Sequence, residues 1–286
     1  MDTSVIIPLY NEAKTICKVI EDIRASMSGK GKCEIVVVDD ASTDGVDRKA
    51  LAEAADRLIE HSRNLGYGAA LKTGIKHSQG DRIVIIDADG TYPANAIPAL
   101  LDELNEADMV VGARTGEDVH IPLLRQPAKF VLAKLANFLA DSDIPDLNSG
   151  LRAFKKKDFQ HYIKLLPNGF SFTTTITLAY TSNDLTIKYV PINYHRRQGS
   201  KSKIRPISDT LNILKTIVRT VVFFDPLKVC VPLSLIFAGL AILVLIVSAA
   251  AMENVMDGTV AVLALSAIQI MVIGIIADLI IRRIDK

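Results

Sequence analysis

Short apolar runs rich in β-branched residues recur along the first half of the chain, separated by amphipathic stretches. Strands are predicted where these runs occur, at residues 3–8, 33–39, 57–61, 82–86 and 109–112. Helices are predicted between them, one ending near residue 28 and two others at 64–78 and 95–105. Strands that alternate with helices in this way are typical of a doubly wound, mostly parallel α/β sheet.

The hydrophobic pattern changes near residue 225. Residues 229–252 and 259–277 contain no charged side chain, and each run could cross the roughly 30 Å hydrocarbon core of a bilayer as a helix. Before them, apolar residues at 207–222 recur at three- and four-residue steps, which predicts a helix at the membrane surface. We expect a globular domain at 1–204, an interfacial helix at 205–225 and a two-helix transmembrane hairpin at 226–286.

Basic residues flank the predicted hairpin, whereas its connecting loop is acidic. The basic residues are Lys215, Arg219, Lys228, Arg282, Arg283 and Lys286, and the acidic ones are Glu253 and Asp257. Since cytoplasmic flanks are enriched in Lys and Arg, both ends of the hairpin are predicted to be cytosolic. The chain starts with a strand pattern and no signal peptide. We therefore expect an integral membrane protein with a cytosolic catalytic domain, in the plasma membrane if the source is a prokaryote.

Composition and missing motifs narrow the classes of function. The formal net charge is +1 and no basic block occurs, so nothing indicates nucleic-acid binding. Cys17, Cys33 and Cys230 have neither metal-ligand nor disulfide spacing, as expected in a reducing compartment. No G-x-G-x-x-G follows the first strand and no P-loop sequence occurs. These absences argue against dinucleotide oxidoreduction and P-loop hydrolysis.

Two carboxylates, Asp87 and Asp89, follow the entirely apolar run at 83–86. In open α/β sheets ligands bind at the carboxyl ends of the strands. An Asp-x-Asp pair at such an end can direct two hard oxygen ligands at one divalent cation, which could in turn hold a diphosphate. The alternative is that the pair only forms a turn, because acidic residues are common turn formers.

Six segments, in this order, resemble family 2 glycosyltransferases of the GT-A fold: SVIIPLYNE, VVVDDASTDG, RNLGYGAALKTG, DADGTYP, DLNSGLRAFKK and HRRQGSKSK. Within that family the chain is similar to polyprenyl-phosphate glycosyltransferases of the dolichyl-phosphate mannose and glucose synthase type. The resemblance implies inverting transfer of a sugar from a UDP- or GDP-linked donor to a dolichyl or undecaprenyl phosphate, with Mg²⁺ or Mn²⁺ as cofactor. DGTYP resembles glucosyl-type relatives, which favours UDP over GDP.

The resemblance also implies roles for individual residues. Asp87 and Asp89 would hold the metal ion against the donor diphosphate and so take part in catalysis. The residues implied to bind the nucleotide are Pro8, Tyr10 and Glu12 of the first loop, Asp39 and Asp40 after the second strand, and Arg63. One of the two second-strand carboxylates would accept hydrogen bonds from the base or ribose.

A lipid phosphate acceptor is already anionic near neutral pH, so it needs cations more than a general base. Candidate ligands for this phosphate are Arg114, which is also assigned to catalysis, Arg125, Arg196, Arg197 and Lys203. Arg125 lies in segment 121–140, whose pattern fits a membrane-surface helix and a core-packed helix equally well. Relatives place the glycine of HRRQGSKSK two residues before Ser-Lys, so the choice between Arg196 and Arg197 stays open. Asp146 is assigned to structure or positioning rather than to a general base.

Other functions are compatible with parts of this pattern. Processive polysaccharide synthases resemble the first half of the chain, but they carry a Gln-x-x-Arg-Trp acceptor motif, and this chain contains no tryptophan. A membrane-anchored glycosyltransferase with another acceptor stays open, as does an inactive GT-A scaffold subunit. The intact carboxylates Asp39, Asp87 and Asp89 argue against the scaffold. The sequence leaves the sugar, the prenyl length and homo-oligomer formation undecided.

Overall fold

The computed structural model describes residues 2–115, 144–169, 171–195, 222, 225–251 and 257–284. Contacts divide the chain into two compact units, one N-terminal and one C-terminal. In chain order the first unit contains β1 (Thr3–Leu9), α1 (Ile16–Met27), β2 (Cys33–Asp39), α2 (Arg48–Ala54), β3 (Arg57–Glu60), α3 (Tyr67–His77), β4 (Arg82–Ile85), a 3₁₀ turn (Ala94–Ala96), α4 (Ile97–Glu103), β5 (Met109–Ala113), β6 (Arg152–Lys155), α5 (Lys156–Tyr162), α6 (Phe172–Ser182) and β7 (Ile187–Pro191). The second unit contains α7 (Leu227–Ala251) and α8 (Asp257–Ile284).

Seven strands form one mixed sheet in the order β3-β2-β1-β4-β6-β5-β7. The pairs β3-β2, β2-β1, β1-β4 and β5-β7 are parallel, whereas β6 is antiparallel to both β4 and β5. The predicted doubly wound, mostly parallel α/β sheet is confirmed. β6 is not visible in the hydrophobic pattern, because its sequence RAFK begins and ends with a charged residue.

This topology gathers the functional loops at one edge of the sheet. β6 runs against its neighbours, so its first residue, Arg152, pairs with Ile85 of β4 and Val111 of β5 near the ends of those strands. β7 runs parallel to β5 and therefore finishes at the same edge. The loops after the six parallel-running strands thus meet the loop before β6. Ligands bind at this edge in open α/β sheets.

Both faces of the sheet are buried, which explains the near-continuous apolar strands. In β1, Val5 and Ile7 pack in a cluster with α1, α2 and α4, whereas Ile6 packs in a second cluster with α3, α5 and α6. Successive strand residues point to opposite faces. A central strand must therefore be apolar at every position to fill both layers.

The predicted elements agree with the observed ones to within a few residues where both exist. The predicted helix at 64–78 begins at Tyr67, and the predicted strand at 57–61 ends at Glu60. The helix predicted at 121–140 lies outside the described residues, and so does the one at 207–222 except for residue 222.

The second unit consists of two apolar helices that correspond to the predicted hairpin. The candidate spans are Leu227–Ala250, with a mean hydropathy of 2.8, and Asp257–Ile281, with a mean hydropathy of 2.6. By length and composition both can cross a membrane. Within the unit, Ser234 donates a hydrogen bond of 2.8 Å to the carbonyl of Ala267. Small and hydroxyl side chains at such contacts allow close approach of membrane helices.

Candidate active site

The Asp-x-Asp pair lies in a turn directly after β4. Thr15 of the loop before α1 donates a hydrogen bond of 2.7 Å to the carbonyl of Ala88, which fixes the backbone between the two carboxylates. Asp89 Oδ1 accepts hydrogen bonds from the amide and hydroxyl of Thr91, at 3.1 and 2.6 Å. Asp89 therefore stabilises a turn, as the alternative interpretation expected.

Asp87 is held by two residues of other segments. The hydroxyl of Tyr67, the first residue of α3, donates a hydrogen bond of 2.9 Å to Asp87 Oδ1. Burial and the adjacent Asp87 carboxylate raise the pKa of the Tyr67 phenol well above its ordinary value, so the phenol keeps the proton that it donates. Gly150 is the second neighbour, since a Cβ atom added there would overlap the Asp87 carboxylate.

Arg114, at the end of β5, forms a buried ion pair with Asp146. Its Nε and Nη2 groups each donate a hydrogen bond of 2.7 Å to the carboxylate, and its backbone N–H donates a third at 3.0 Å. Burial opposes ionisation of Asp146, but the hydrogen bonds and charge of Arg114 outweigh it and lower the pKa of the carboxyl group. The pKa of Arg114 is raised, since the bonds to Asp146 outweigh the opposing effect of burial.

An aromatic chain connects this ion pair with the turn after β4. The Arg114 guanidinium lies 5.3 Å from the ring centroid of Tyr194, and that ring packs edge-on against Tyr92 at 5.2 Å. The Tyr92 hydroxyl accepts a hydrogen bond of 2.7 Å from the Gly150 amide. Asp87, Gly150, Tyr92, Tyr194 and Arg114 thus form one continuous network, although they come from four separate segments.

Asp39 is placed at the expected edge but is fully enclosed. Its oxygens accept hydrogen bonds from the Ser42 amide at 2.8 Å and from Arg48 at 2.9 and 3.1 Å. The side chain of Asp39 is 0% exposed, whereas that of Arg48 is 43% exposed and also contacts Glu60 at 2.9 Å. Arg48 therefore covers the carboxylate in this conformation, and the assignment of Asp39 to nucleotide binding stays a prediction.

Asp40 is also buried and supports the loop after β3. It accepts hydrogen bonds of 2.8 Å from the amides of Leu65 and Gly66, and His61 Nδ1 lies 2.7 Å from it. These contacts use both oxygens and support this loop, and the implied nucleotide role of Asp40 stays a prediction. Arg63, in the same loop, is exposed. Its assignment to nucleotide binding stays a prediction.

The loop after β1 contains two of its three predicted nucleotide residues. Tyr10 is exposed and Glu12 is half-buried, with Asn11 between them at a positive φ of 58°. The Asn11 side chain accepts a hydrogen bond of 2.7 Å from the Thr43 amide, which ties this loop to the one after β2. Pro8 lies in β1 instead and is buried, which corrects its placement in the loop. β1 pairs with β4 only as far as Ile6, so a residue without an N–H is tolerated beyond that point.

A buried arginine that the sequence analysis did not single out supports the loop before β6. Arg152 is 0% exposed, and its guanidinium donates hydrogen bonds to the carbonyl of Ser149 at 2.7 and 3.1 Å. It also donates to the Thr173 carbonyl at 3.2 Å and the Thr177 hydroxyl at 2.9 Å. Burial lowers the pKa of Arg152. These bonds position the backbone next to Gly150, and hence the surroundings of Asp87.

The sequence alone did not indicate a functional role for several residues of the site, although three of them lie in the segments that resemble family 2 glycosyltransferases. Tyr67, Tyr92 and Gly150 lie in RNLGYGAALKTG, DADGTYP and DLNSGLRAFKK. Their contacts depend on the crossover topology and could not be read from spacing. Arg48 and Tyr194 lie outside every quoted segment, and no local pattern marks them. Gly68 also lies in a quoted segment, and a Cβ atom there would overlap the backbone around residue 167.

The donor atoms at the edge fit a divalent cation that a diphosphate also ligates. The described part of the chain contains no group of three or more His, Cys, Asp or Glu side chains that could hold a metal ion by themselves. Mg²⁺ is commonly bound by one or two carboxylates together with substrate phosphates and water. Asp87 and Asp89 match that donor set. The acceptor residues predicted at Arg125, Arg196, Arg197 and Lys203 lie outside the described residues.

Two relatives share sequence with most of this chain. A dolichyl-phosphate hexose transferase of Haloferax volcanii is 30% identical over 222 residues, covering 76% of this chain and 93% of the relative. An undecaprenyl-phosphate 4-deoxy-4-formamido-L-arabinose transferase of Edwardsiella ictaluri is 28% identical over 207 residues, covering 70% of this chain and 62% of the relative.

The solved structures and the family match agree with the observed sheet. Glucosyl-3-phosphoglycerate synthase from Mycobacterium tuberculosis, in complex with Mn²⁺, UDP-glucose and phosphoglyceric acid, has a TM-score of 0.59 and 21% identity, covering 77% of this chain and 79% of that chain. This likeness establishes a GT-A-like fold. Residues 4–163 match Glycosyl transferase family 2, and residues 225–282 match the GtrB C-terminal hairpin. Because the first match spans more than half of the sequence, the chain belongs to glycosyl transferase family 2.

Proposed function

We propose that this chain transfers a sugar from a nucleotide-diphosphate sugar to a polyprenyl phosphate and so makes a polyprenyl-phosphate-linked sugar. The observation that carries the proposal is the network at the sheet edge that connects Asp87 with Arg114. In the proposal, Asp87 is a ligand of the metal ion and Arg114 is a cation for the acceptor phosphate. Both relatives described above are named for transfer that involves a polyprenyl phosphate, which supports the acceptor class.

The donor diphosphate is proposed to bind at Asp87 and Asp89 together with Mg²⁺ or Mn²⁺. The bound ion would offset the negative charge that develops on the departing diphosphate. The protein's own contribution is to hold the two carboxylates in place. The Tyr67 hydroxyl does this for Asp87, and the Thr91 amide and hydroxyl do it for Asp89.

The nucleoside is proposed to lie over the loops after β1 and β2. Tyr10 offers an exposed ring there, and Arg48 offers a partly exposed guanidinium that covers Asp39. In this proposal Asp39 reaches the base or ribose only when Arg48 shifts. UDP is favoured over GDP by the resemblance of DGTYP, and the mycobacterial synthase of the same fold was crystallised with a uridine nucleotide.

The acceptor is proposed to react as an anion without a general base. Asp146 is poorly suited as a base, because both oxygens accept hydrogen bonds from Arg114 and the pKa of the carboxyl group is lowered. A phosphate oxygen of the lipid attacks C1 of the sugar, the bond from C1 to the diphosphate breaks, and the anomeric configuration inverts. Arg114 uses Nε and Nη2 for Asp146, which leaves Nη1 outside the pair for a phosphate oxygen.

The remaining acceptor ligands and the membrane orientation are also proposals. Arg125, either Arg196 or Arg197, and Lys203 would add positive charge around the lipid phosphate. The hairpin would place the catalytic domain on the cytosolic face, which is the plasma membrane face in a prokaryote. The two helices of spanning length support an integral membrane protein.

An assay of the purified full-length chain tests this function against an inactive scaffold. The chain in detergent is mixed with a panel of UDP- and GDP-sugars, a short prenyl phosphate, and Mg²⁺ or Mn²⁺. Release of nucleoside diphosphate that depends on the prenyl phosphate supports the proposal. Binding of a nucleotide sugar without release, for every donor and metal tried, supports the scaffold instead.

A further inference from the structure

Two groups confine the carboxylate of Asp87, although this residue lies in a turn at an open edge. Oδ1 accepts the 2.9 Å hydrogen bond from the Tyr67 hydroxyl, which reaches across from the first turn of α3. Both oxygens also lie against Gly150, where a Cβ atom would overlap the carboxylate. The confinement therefore fixes the orientation of the carboxylate as well as its position.

Neighbouring contacts hold both confining groups in place. The Gly150 amide donates to the Tyr92 hydroxyl at 2.7 Å, and Arg152 binds the carbonyl of the preceding residue, Ser149. Tyr67 begins α3, whose start packs closely on the backbone near residue 168. The hydrogen bond between Tyr67 and Asp87 consequently joins two rigid segments and does not depend on a flexible loop.

The bond leaves Asp87 chemically competent as a ligand. An ionised carboxylate has about four lone-pair sites, and the Tyr67 phenol occupies one of them. Outer contacts of this kind orient ligating groups in metal sites, and their loss typically weakens metal affinity about 10- to 100-fold. A hydroxyl donor at 2.9 Å thus has the geometry and the chemistry of an orienting partner.

We propose that Tyr67 is a positioning residue that orients the Asp87 carboxylate toward the divalent cation shared with the donor diphosphate. This inference rests on the proposed function, because it presumes that Asp87 ligates a metal. In this proposal Tyr67 acts through Asp87 and is not itself a metal ligand. Its hydroxyl is needed only to select one orientation of Asp87.

The test removes the hydroxyl and retains the ring, with the variant Tyr67→Phe in the full-length chain. Mn²⁺ binding is measured directly from the electron paramagnetic resonance signal of free Mn²⁺, with UDP or GDP present, whichever the wild-type chain binds. The Mn²⁺ dissociation constant is expected to rise by about 10-fold or more. The turnover number at saturating Mn²⁺ is expected to stay within about threefold of the wild type, because the reacting groups are unchanged.

Two further variants keep the test decisive. Tyr180→Phe is the matched control, since the buried hydroxyl of Tyr180 has no hydrogen-bond partner among the described residues, and its Mn²⁺ affinity should equal that of the wild type. Gly150→Ala displaces the Asp87 carboxylate by direct overlap and should weaken Mn²⁺ binding like Tyr67→Phe. If Tyr67→Phe is poorly folded by circular dichroism, Gly150→Ala tests whether Mn²⁺ binding depends on the orientation of Asp87, and unchanged affinity there overturns the proposal.

The outcomes separate this inference from the proposed function. Unchanged Mn²⁺ affinity in Tyr67→Phe, together with weakened affinity in Asp87→Asn, would overturn the positioning role and leave the metal site intact. Unchanged affinity in Asp87→Asn and Asp89→Asn as well would overturn the metal site itself. A lower turnover number in Tyr67→Phe at unchanged Mn²⁺ affinity would also contradict the positioning role.

Discussion

The guanidinium of Arg114 donates one hydrogen bond to each carboxylate oxygen of Asp146, and both bonds measure 2.7 Å. The two residues lie 32 positions apart, one after β5 and the other in the loop before β6. The Asp146 side chain is 5% exposed and that of Arg114 is 23% exposed. The pair therefore ties the end of β5 to the loop that also contains Gly150, next to Asp87.

Replacement of Asp146 by asparagine should destabilise the first unit, because it leaves the Arg114 charge without its counter-charge. Loss of one partner from a buried pair costs about 3–5 kcal/mol, and we expect about 3 kcal/mol since Arg114 keeps some exposure. Denaturant unfolding in detergent micelles, followed by circular dichroism, measures the change. Glu106→Gln, which removes an exposed partner of Lys188, is the control and should leave the unfolding midpoint unchanged. Equal midpoints for Asp146→Asn and the wild type would contradict the structural importance of the pair.

The same pair predicts a dependence of stability on pH. Because the pKa of Asp146 is lowered in the folded chain, the unfolded chain takes up the proton first as the pH falls. Asp146 thus makes its full contribution to folding stability above the ordinary Asp pKa of about 3.9. This contribution is lost as the pH drops through the lower pKa that Asp146 has in the folded chain. The stability difference between the wild type and Asp146→Asn should be constant above about pH 5 and shrink below about pH 4. A stability difference between the wild type and Asp146→Asn that grows on acidification would contradict a lowered pKa of Asp146.

The Asp89→Ala variant should lose sugar transfer while it remains folded, because Asp89 lies in a turn outside the packed layers of the sheet. A chelator should abolish the activity of the wild-type chain, and added Mg²⁺ or Mn²⁺ should restore it. Product formation and circular dichroism spectra check the two parts of this expectation. Full activity of Asp89→Ala, or of the wild type in the chelator, is incompatible with the proposed metal site.

The Gly68→Ala variant tests the close packing at the start of α3. In an unobstructed helix this change would stabilise the protein by about 0.5–1 kcal/mol. Here the new Cβ would meet the backbone oxygen of Pro167 and the carbonyl carbon of Asn168, so we expect a loss of about 1–3 kcal/mol. Gly169→Ala is the control, since nothing lies within 4 Å of its Cβ position, and it should change stability by less than about 0.5 kcal/mol. Denaturant unfolding shows whether Gly68→Ala lowers the free energy of unfolding, as expected here, or raises it, as in an unobstructed helix.

Most of the sheet could be predicted, because parallel strands buried on both faces leave an unmistakable apolar run. The runs in β1, β2 and β4 predicted their strands to within two residues. β6 was not predicted, because half of its four residues are charged. It forms a strand through its pairing with β4 and β5. Local pattern does not report such long-range pairing, and so the reversal of direction in the sheet was missed.

The site was predicted in its position but not in its contacts. Asp87 and Asp89 could be placed at a strand end from spacing alone, since the apolar run stops just before them. The enclosure of Asp39 by Arg48 depends on how α2 packs beside β2, and spacing gives no information about that. Pro8 was predicted at the end of the first strand and, by resemblance, among the first-loop residues. The structure has it in β1, at a point where pairing with β4 has already ended.

The orientation of the hairpin can be tested by thiol labelling in intact cells. Asp257, the exposed first residue of α8, is changed to cysteine in a chain whose three native cysteines are replaced by serine or alanine. A membrane-impermeant maleimide should label this position from outside, because the basic flanks predict that both ends of the hairpin are cytosolic. Lys14→Cys, an exposed position of the first unit, is the control and should be labelled only after permeabilisation. The reverse pattern would invert the proposed topology.

The central claim, that the acceptor is a polyprenyl phosphate, is tested most directly by a competition between acceptors. The purified full-length chain receives its nucleotide sugar and divalent metal together with equal amounts of a short prenyl phosphate and the prenol of the same length. Mass spectrometry then identifies the glycosylated lipid. The predicted result is a prenyl-phosphate-linked sugar as the main product, because only the phosphate is already ionised as a nucleophile near neutral pH. Glycosylation of the prenol at an equal rate, or nucleotide release with no lipid product, would contradict the account.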